Sequence, residues 1–270
     1  MTLNKAKGRM FKSVGHTWNP IVGCSHACKY CWAESLTKRW GKSFEPQFRP
    51  HFLDDKMPND GSWIFVGSMG DLFCSGMKDE WILKVLGKIA YERTKGTNNK
   101  FLLQTKNPLS FLAFGLELDQ IKDSVILGTT IETTGETPWS KAPPTSERYK
   151  YLTQMKMAGF KTFLSLEPLS DFDFNKMIRW VVAINPEAVE IGLENYSNHT
   201  TKPPEDKIKA LIYNLDVLEI PYVLKDNLKS LRSQDNPRVA GRGEEDELNE
   251  ASPARTVPGT SPRSSKEDSL

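Results

Sequence analysis

A mixed α/β fold built around a parallel sheet is the architecture this sequence predicts. Three observations predict it. Short apolar runs recur from Trp63 to Lys225, stretches of helical period separate them, and the runs are continuous rather than alternating. Continuous runs suit strands covered on both faces, and strands joined through helices run parallel.

A first strand is expected to end near Val22. Others follow at Trp63–Val66, Phe101–Leu103, Val125–Leu127, Thr162–Leu164, Val189–Ile191 and Tyr222–Leu224. The clearest helix, from about Asp79 to Arg93, places Ile82, Val85, Leu86 and Ile89 on one stripe, with Asp79 and Glu80 at the positive end of the helix dipole. A second follows Pro143-Pro144, with Thr145 or Ser146 as its cap and Gly159 closing it. A third runs from about Pro204 to Leu218. Six or seven such units predict an open or nearly closed parallel barrel, in which functional residues gather where strands end and loops begin. Residues 1–232 are read as this domain. From 233 to 270, Ser, Pro, Gly, Arg and Glu dominate, and a disordered low-complexity tail is expected.

The chain of 270 residues is 38% hydrophobic and 26% charged, enough apolar surface for a sizeable core. No apolar run reaches the roughly 18 residues of a membrane span, and Met1–Lys12 lacks the apolar centre of a signal peptide. A soluble, cytoplasmic protein with no membrane partner is therefore expected. The net charge of +2 is unlike that of a strongly basic nucleic-acid binder, but its distribution is uneven. Residues 1–50 carry nine Lys or Arg against two acids, Glu34 and Glu45, which leaves +7. Such a segment reads as a solvated basic face or as the contact for an anionic ligand or partner.

Of the four cysteines, three form Cys24-x3-Cys28-x2-Cys31, too tight a group for a disulfide framework. Three thiolates are one fewer than a closed site needs, so a four-iron cluster held here keeps one iron without a protein ligand. S-adenosylmethionine (SAM) can chelate that iron through its amino and carboxylate groups. The competing reading is a zinc site completed by His26 or His16, in a non-enzymatic interaction module whose tail recruits partners.

Cys24, Cys28 and Cys31, with Tyr30 just before the last cysteine, resemble the signature of the radical SAM superfamily. Thr17-Trp18-Asn19-Pro20 leading to Gly23-Cys24, then Gly67-Ser68-Met69-Gly70-Asp71-Leu72-Phe73, then Thr105-Lys106-Asn107-Pro108, resemble one uncharacterised branch of it, common in bacteriophages and bacteria. The resemblance covers roughly residues 11 to 228. It implies a radical SAM enzyme with a partial parallel (β/α)6-type barrel, in which a [4Fe-4S] cluster on the three cysteines cleaves SAM. The product is a 5'-deoxyadenosyl radical that abstracts hydrogen from a substrate. The implied partners are an electron donor of flavodoxin or ferredoxin type and an unidentified substrate, with a nucleotide or nucleic acid leading because of the basic first segment and the phage association.

The same resemblance implies SAM-binding roles for Tyr30, Gly67, Ser68, Asp71, Lys106 and Glu132. The Gly67–Asp71 loop would meet SAM's amino group, although it departs from the commoner Gly-Gly-Glu form and also reads as a turn required for backbone shape. Lys106 would neutralise the SAM carboxylate or an anionic substrate, and Glu132 would accept from the ribose hydroxyls. Glu167-Pro168, Glu194-Asn195 and Lys225-Asp226 each end an apolar strand and suggest a polar pocket mouth. Cys74 reads as a buried small hydrophobe or as a thiol that returns hydrogen to a product radical.

Overall fold

The computed structural model describes residues 3–195 and 198–231, so the tail expected at 233–270 lies outside the described residues. β1 (Asn4–Lys5) pairs antiparallel with β2 (His16–Trp18). β3 (Ile21–Val22) and β4 (Gln47–Phe48) make a separate two-stranded ribbon, with α1 (Trp32–Arg39) between them in the chain. There follow β5 (Trp63–Val66), α2 (Asp79–Thr94), β6 (Lys100–Gln104), the short α3 (Ser110–Ala113) and α4 (Gly115–Gln120), and β7 (Val125–Thr130). The chain continues through α5 (Thr145–Met157), β8 (Lys161–Leu166), α6 (Phe174–Ile184), β9 (Ala188–Ile191), α7 (Glu205–Val217) and β10 (Tyr222–Leu224).

The main sheet has the order β1-β2-β5-β6-β7-β8-β9-β10, and every pair from β2 to β10 is parallel. Seven parallel strands in chain order, joined by six helical crossovers, make the curled partial barrel the sequence predicts. Two local expectations are corrected. The first parallel strand is His16–Trp18 rather than one ending near Val22, because Pro20 interrupts the ladder and Ile21–Val22 turns away to pair with β4. Neither Thr145 nor Ser146 caps α5: Pro144 holds the cap position, and the Thr145 hydroxyl donates to Gly135 O instead. Gly159, at φ +86°, does close that helix.

The period-2 rule divides each strand between two cores. Ile64, Val66, Phe101, Leu103, Val125, Leu127, Leu164 and Val189 face the helices. Leu102, Ile126, Phe163 and Ala188 face the barrel interior, where Val14, Met10 and Phe11 from the amino-terminal arm pack against them. Phe11 lies 5.1 Å from Phe163 and 5.4 Å from Phe65, ring centre to ring centre. The arm thus plugs the amino-terminal end of the barrel interior. Two residues further along the same inward face, Leu102 gives way to Gln104 and Phe163 to Ser165, while Thr130 follows Ile126 by four. The interior changes from apolar to polar toward the carboxyl ends of the strands. Among the described residues no helix is long and apolar enough to cross a membrane.

Candidate active site

A cavity of about 400 Å³ opens at those carboxyl ends. Its wall brings together Cys24, Cys28 and Cys31 with Tyr30, Ser68, Asp71 and Lys106. Of the pairs expected at the pocket mouth, Glu167-Pro168, Glu194-Asn195 and Lys225 also line it. Gly67 and Glu132 do not.

The cysteine loop is held from two sides. On one side, Gly23 N donates to Met69 O (3.0 Å) and Asp71 N to Gly23 O (3.3 Å). Asn19 Oδ1 accepts from Ser68 Oγ at 3.1 Å and Met69 N at 3.0 Å, tying the Thr17–Pro20 segment to the Gly67–Asp71 loop. A Cβ on Gly70 would sit 2.5 Å from Gly23 O and 2.9 Å from Gly23 N, so only glycine permits this approach. On the other side, Lys29 N donates to Trp139 O and Lys141 N to His26 O, while Cys28 Sγ lies 3.1 Å from Ser140 Oγ. Ala27 adopts φ +48°, a conformation costly for a residue with a Cβ. Cys31 then caps α1, its Sγ accepting from Glu34 N at 3.4 Å.

Two buried, hydrogen-bonded carboxylates adjoin this loop. His26 Nε2 is 2.9 Å from Asp71 Oδ2, which also accepts from Lys106 N, while Asp71 Oδ1 accepts from Phe73 N. Burial pushes the Asp71 carboxyl up, but His26 and the Lys106 amide outweigh it and hold it below its ordinary value. Glu132 is wholly buried, with Lys106 Nζ at 2.6 Å and the Tyr30 hydroxyl on Oε1 and Arg148 Nη1 at 2.7 Å on Oε2. Burial opposes its charge, yet Lys106 and Arg148 bring the carboxyl down to about 2. Burial and the Glu132 charge push the Tyr30 phenol well above its usual range. The structure therefore places Glu132 behind the cavity wall, with both oxygens already engaged. It bears on the cavity through Lys106 and Tyr30.

A third cluster closes the opposite wall. Lys225 Nζ lies 3.4 Å from both Glu167 Oε2 and Glu190 Oε2 and donates to Arg9 O at 2.9 Å. Glu190 Oε1 accepts from Ser13 N at 2.8 Å, so the same cluster fastens the amino-terminal arm. Burial raises both carboxyls despite the lysine.

Cys74 is buried and off the cavity wall. A hydrogen bond with the Cys24 thiol brings it down to about 7, and the same contact, followed by burial, pushes Cys24 up.

All four cysteines are free. Three thiols on one cavity wall suit an iron–sulfur cluster with an open iron. The donors a zinc ion would take, Cys24, His26 and Asp71, have atoms within 4.8 Å of one another, but that set leaves out Cys28 and Cys31 and uses an imidazole that Asp71 already engages. Gln104 supplies a second test of fit. Its Nε2 donates to Thr130 Oγ1, and its buried Oε1 lacks a hydrogen-bond partner among the described residues, an acceptor suited to a polar ligand in the cavity.

Sequence reasoning missed Arg148, and it named Asn19 within its motif and the basic first segment without seeing that one ties two loops together and the other plugs the barrel. A signal existed for Arg148, which shares the inward stripe of α5 with Leu152 and Met155, where a charge needs a buried partner.

Fold and site together define a protein with a curled, mostly parallel partial barrel and a three-cysteine loop at the strands' carboxyl ends. The chain belongs to the family described as protein of unknown function (DUF5131), which residues 11–184 match. An uncharacterised protein, ORF301, of Acidianus two-tailed virus is 26% identical over 183 residues, covering 60% of this chain and 59% of that one. Two solved structures of spore photoproduct lyase variants share the fold. One, with bound AdoMet and dinucleoside spore photoproduct, aligns with a TM-score of 0.51 at 11% identity over 73% of this chain and 62% of the lyase. The other, with dinucleoside spore photoproduct, aligns at 0.52 with the same identity and coverage. The chain thus spans under two thirds of the length of each of these relatives.

Proposed function

We propose that this protein is a radical SAM enzyme acting on a nucleotide or nucleic acid. One observation carries the reading: three free cysteines share a cavity wall with Tyr30, Ser68 and Lys106 at the carboxyl ends of a parallel partial barrel. Cys24, Cys28 and Cys31 would hold a [4Fe-4S] cluster, which with SAM and an electron from a flavodoxin- or ferredoxin-type donor supplies a 5'-deoxyadenosyl radical for hydrogen abstraction.

The chain's own residues prepare the cavity. Lys106 presents an ammonium group, oriented by Glu132, that suits the carboxylate of SAM, and Ser68 adds a hydroxyl to the same cavity wall. Lys106 and Arg148 keep Glu132 ionised, and burial beside that charge keeps Tyr30 a neutral donor. The arm closes the barrel from below, leaving the strands' carboxyl ends as the way in. The nucleotide class is supported by the +7 first segment and by likeness in fold to a spore photoproduct lyase solved with a dinucleoside ligand.

The test is the iron, sulfide and zinc content of anaerobically purified protein, followed by dithionite, SAM and an assay for 5'-deoxyadenosine. Iron, sulfide and deoxyadenosine are expected. Zinc without iron would overturn the reading in favour of a zinc-binding interaction module.

A further inference from the structure

The basic first segment has no role in the chemistry above. Two of its cations lie in the cavity wall, a third sits on the cysteine loop between the wall residues Cys28 and Tyr30, and a fourth cation lies on a later loop bonded to it. Lys7 lines the wall from the arm, and Arg9 lies beside it. Lys29 is exposed on the cysteine loop, and Lys141 is exposed on the loop that backs it, the two joined by the Lys29–Trp139 and Lys141–His26 backbone bonds. Lys7, Lys29 and Lys141 make no ion pair among the described residues.

The carboxylates of the wall are engaged within the protein. Asp71 is paired with His26 and Glu167 with Lys225, and Glu194 Oε2 accepts from His199 N, Thr200 N and Thr200 Oγ1. The unmatched charge at the rim is therefore positive. Beside it stands Trp32, which follows Cys31, lines the cavity and is nonetheless 44% exposed. A half-exposed tryptophan in the wall of a cavity, sharing that wall with Lys7 and three residues along the chain from Lys29, suits a nucleic-acid stacking platform.

We infer that this rim binds a single strand of nucleic acid, Trp32 stacking on a base while Lys7, Lys29 and Lys141 meet phosphates, so that a neighbouring base is delivered into the cavity. The assignment rests on the proposed function for its chemistry and narrows its substrate to a strand. Cations from three separate segments follow a backbone, whereas one nucleotide phosphate has use for a single site. A cavity of about 400 Å³ admits a base but no duplex, so the reacting base must arrive unpaired. An acidic electron-transfer protein would also meet the lysines, but it has no need of an aromatic group on the cavity wall.

The test is fluorescence anisotropy with a short labelled single-stranded DNA on the full chain, cluster-reconstituted and free of SAM, across a salt series. Binding that weakens with salt is expected. Trp32→Ala should lower affinity at least fivefold, and Trp32→Phe should recover most of it. Lys29→Gln with Lys141→Gln should reduce the salt slope by about 1.4, two phosphates at roughly 0.7 each. Unchanged affinity in Trp32→Ala, or duplex bound as tightly as single strand, overturns the assignment. So does a lysine double variant that slows reduction by flavodoxin while strand affinity holds. Iron content and deoxyadenosine formation on the same preparations read the proposed function separately, so failure of either claim is distinguishable from failure of the other.

Discussion

Glu132 Oε2 and Arg148 Nη1 lie 2.7 Å apart, and neither side chain is exposed to solvent. One comes from just past the end of β7 and the other from the first turns of α5, so the pair locks a crossover helix to its strand directly behind the cavity. Arg148 extends the lock by donating to Thr130 O at 3.0 Å and Pro143 O at 2.7 Å. Removing one partner of such a pair leaves a buried charge unmatched. Arg148→Met is therefore expected to cost about 3–5 kcal/mol in urea unfolding, and the double variant with Glu132→Gln to lie closer to the native protein. A double variant less stable than Arg148→Met alone would contradict the pairing.

The same carboxyl sets a pH dependence. Its folded value, about 2, lies below the ordinary 4.5, so its contribution is fully present above about pH 5 and is lost as pH falls toward 2. The difference corresponds to on the order of 3 kcal/mol. Stability measured from pH 6 down to pH 2.5 should fall less steeply in Glu132→Gln than in the native chain.

Gly70→Ala should disturb the cysteine loop, since the new methyl meets the Gly23 backbone and no flexible side chain can yield. Lower iron retention after reconstitution and a reduced melting temperature are expected together. Full iron retention would show that the two loops can separate without consequence.

The cysteines divide by position. Cys28→Ala should abolish iron binding and deoxyadenosine formation. Cys74→Ala removes a thiol off the cavity wall and should keep full iron content with modest destabilisation. Iron loss in Cys74→Ala equal to that in Cys28→Ala would make Cys74 a fourth ligand and end the open-iron reading.

Lys225→Met removes the ammonium that joins Glu167, Glu190 and Arg9 O. The arm should loosen, and limited proteolysis should cut within residues 3–14 at protease levels that spare the native chain. Equal resistance would mean that Phe11 and its aromatic neighbours hold the arm alone.

Much of this was legible in the chain. Each parallel strand except the first lies where an apolar run predicts it, because a strand buried on both faces must be apolar throughout. The charged strand ends Glu167, Glu194 and Lys225 do meet at one cavity. The first strand was misplaced because Ile21–Val22 is as apolar as His16–Trp18 is mixed, and only pairing with β5 distinguishes them. Glu132 was expected to meet the SAM ribose because the resemblance implies an acceptor at that strand end. Its partner Arg148 is 16 residues on, and no local pattern announces the contact.

The sequence by itself determined what depends on neighbours along the chain: the three-cysteine spacing, the helical stripes, the apolar runs and the charge of the first fifty residues. Tertiary structure alone decided which acid faces the cavity and which is sealed behind it. It also decided that Gly70 must lie flat on Gly23, and that the arm returns to plug the barrel. The reason is physical. Spacing along a chain fixes which side chains share a face, whereas the meeting of two faces depends on how helices and strands pack, and a buried charge is matched only by what that packing brings within hydrogen-bonding reach.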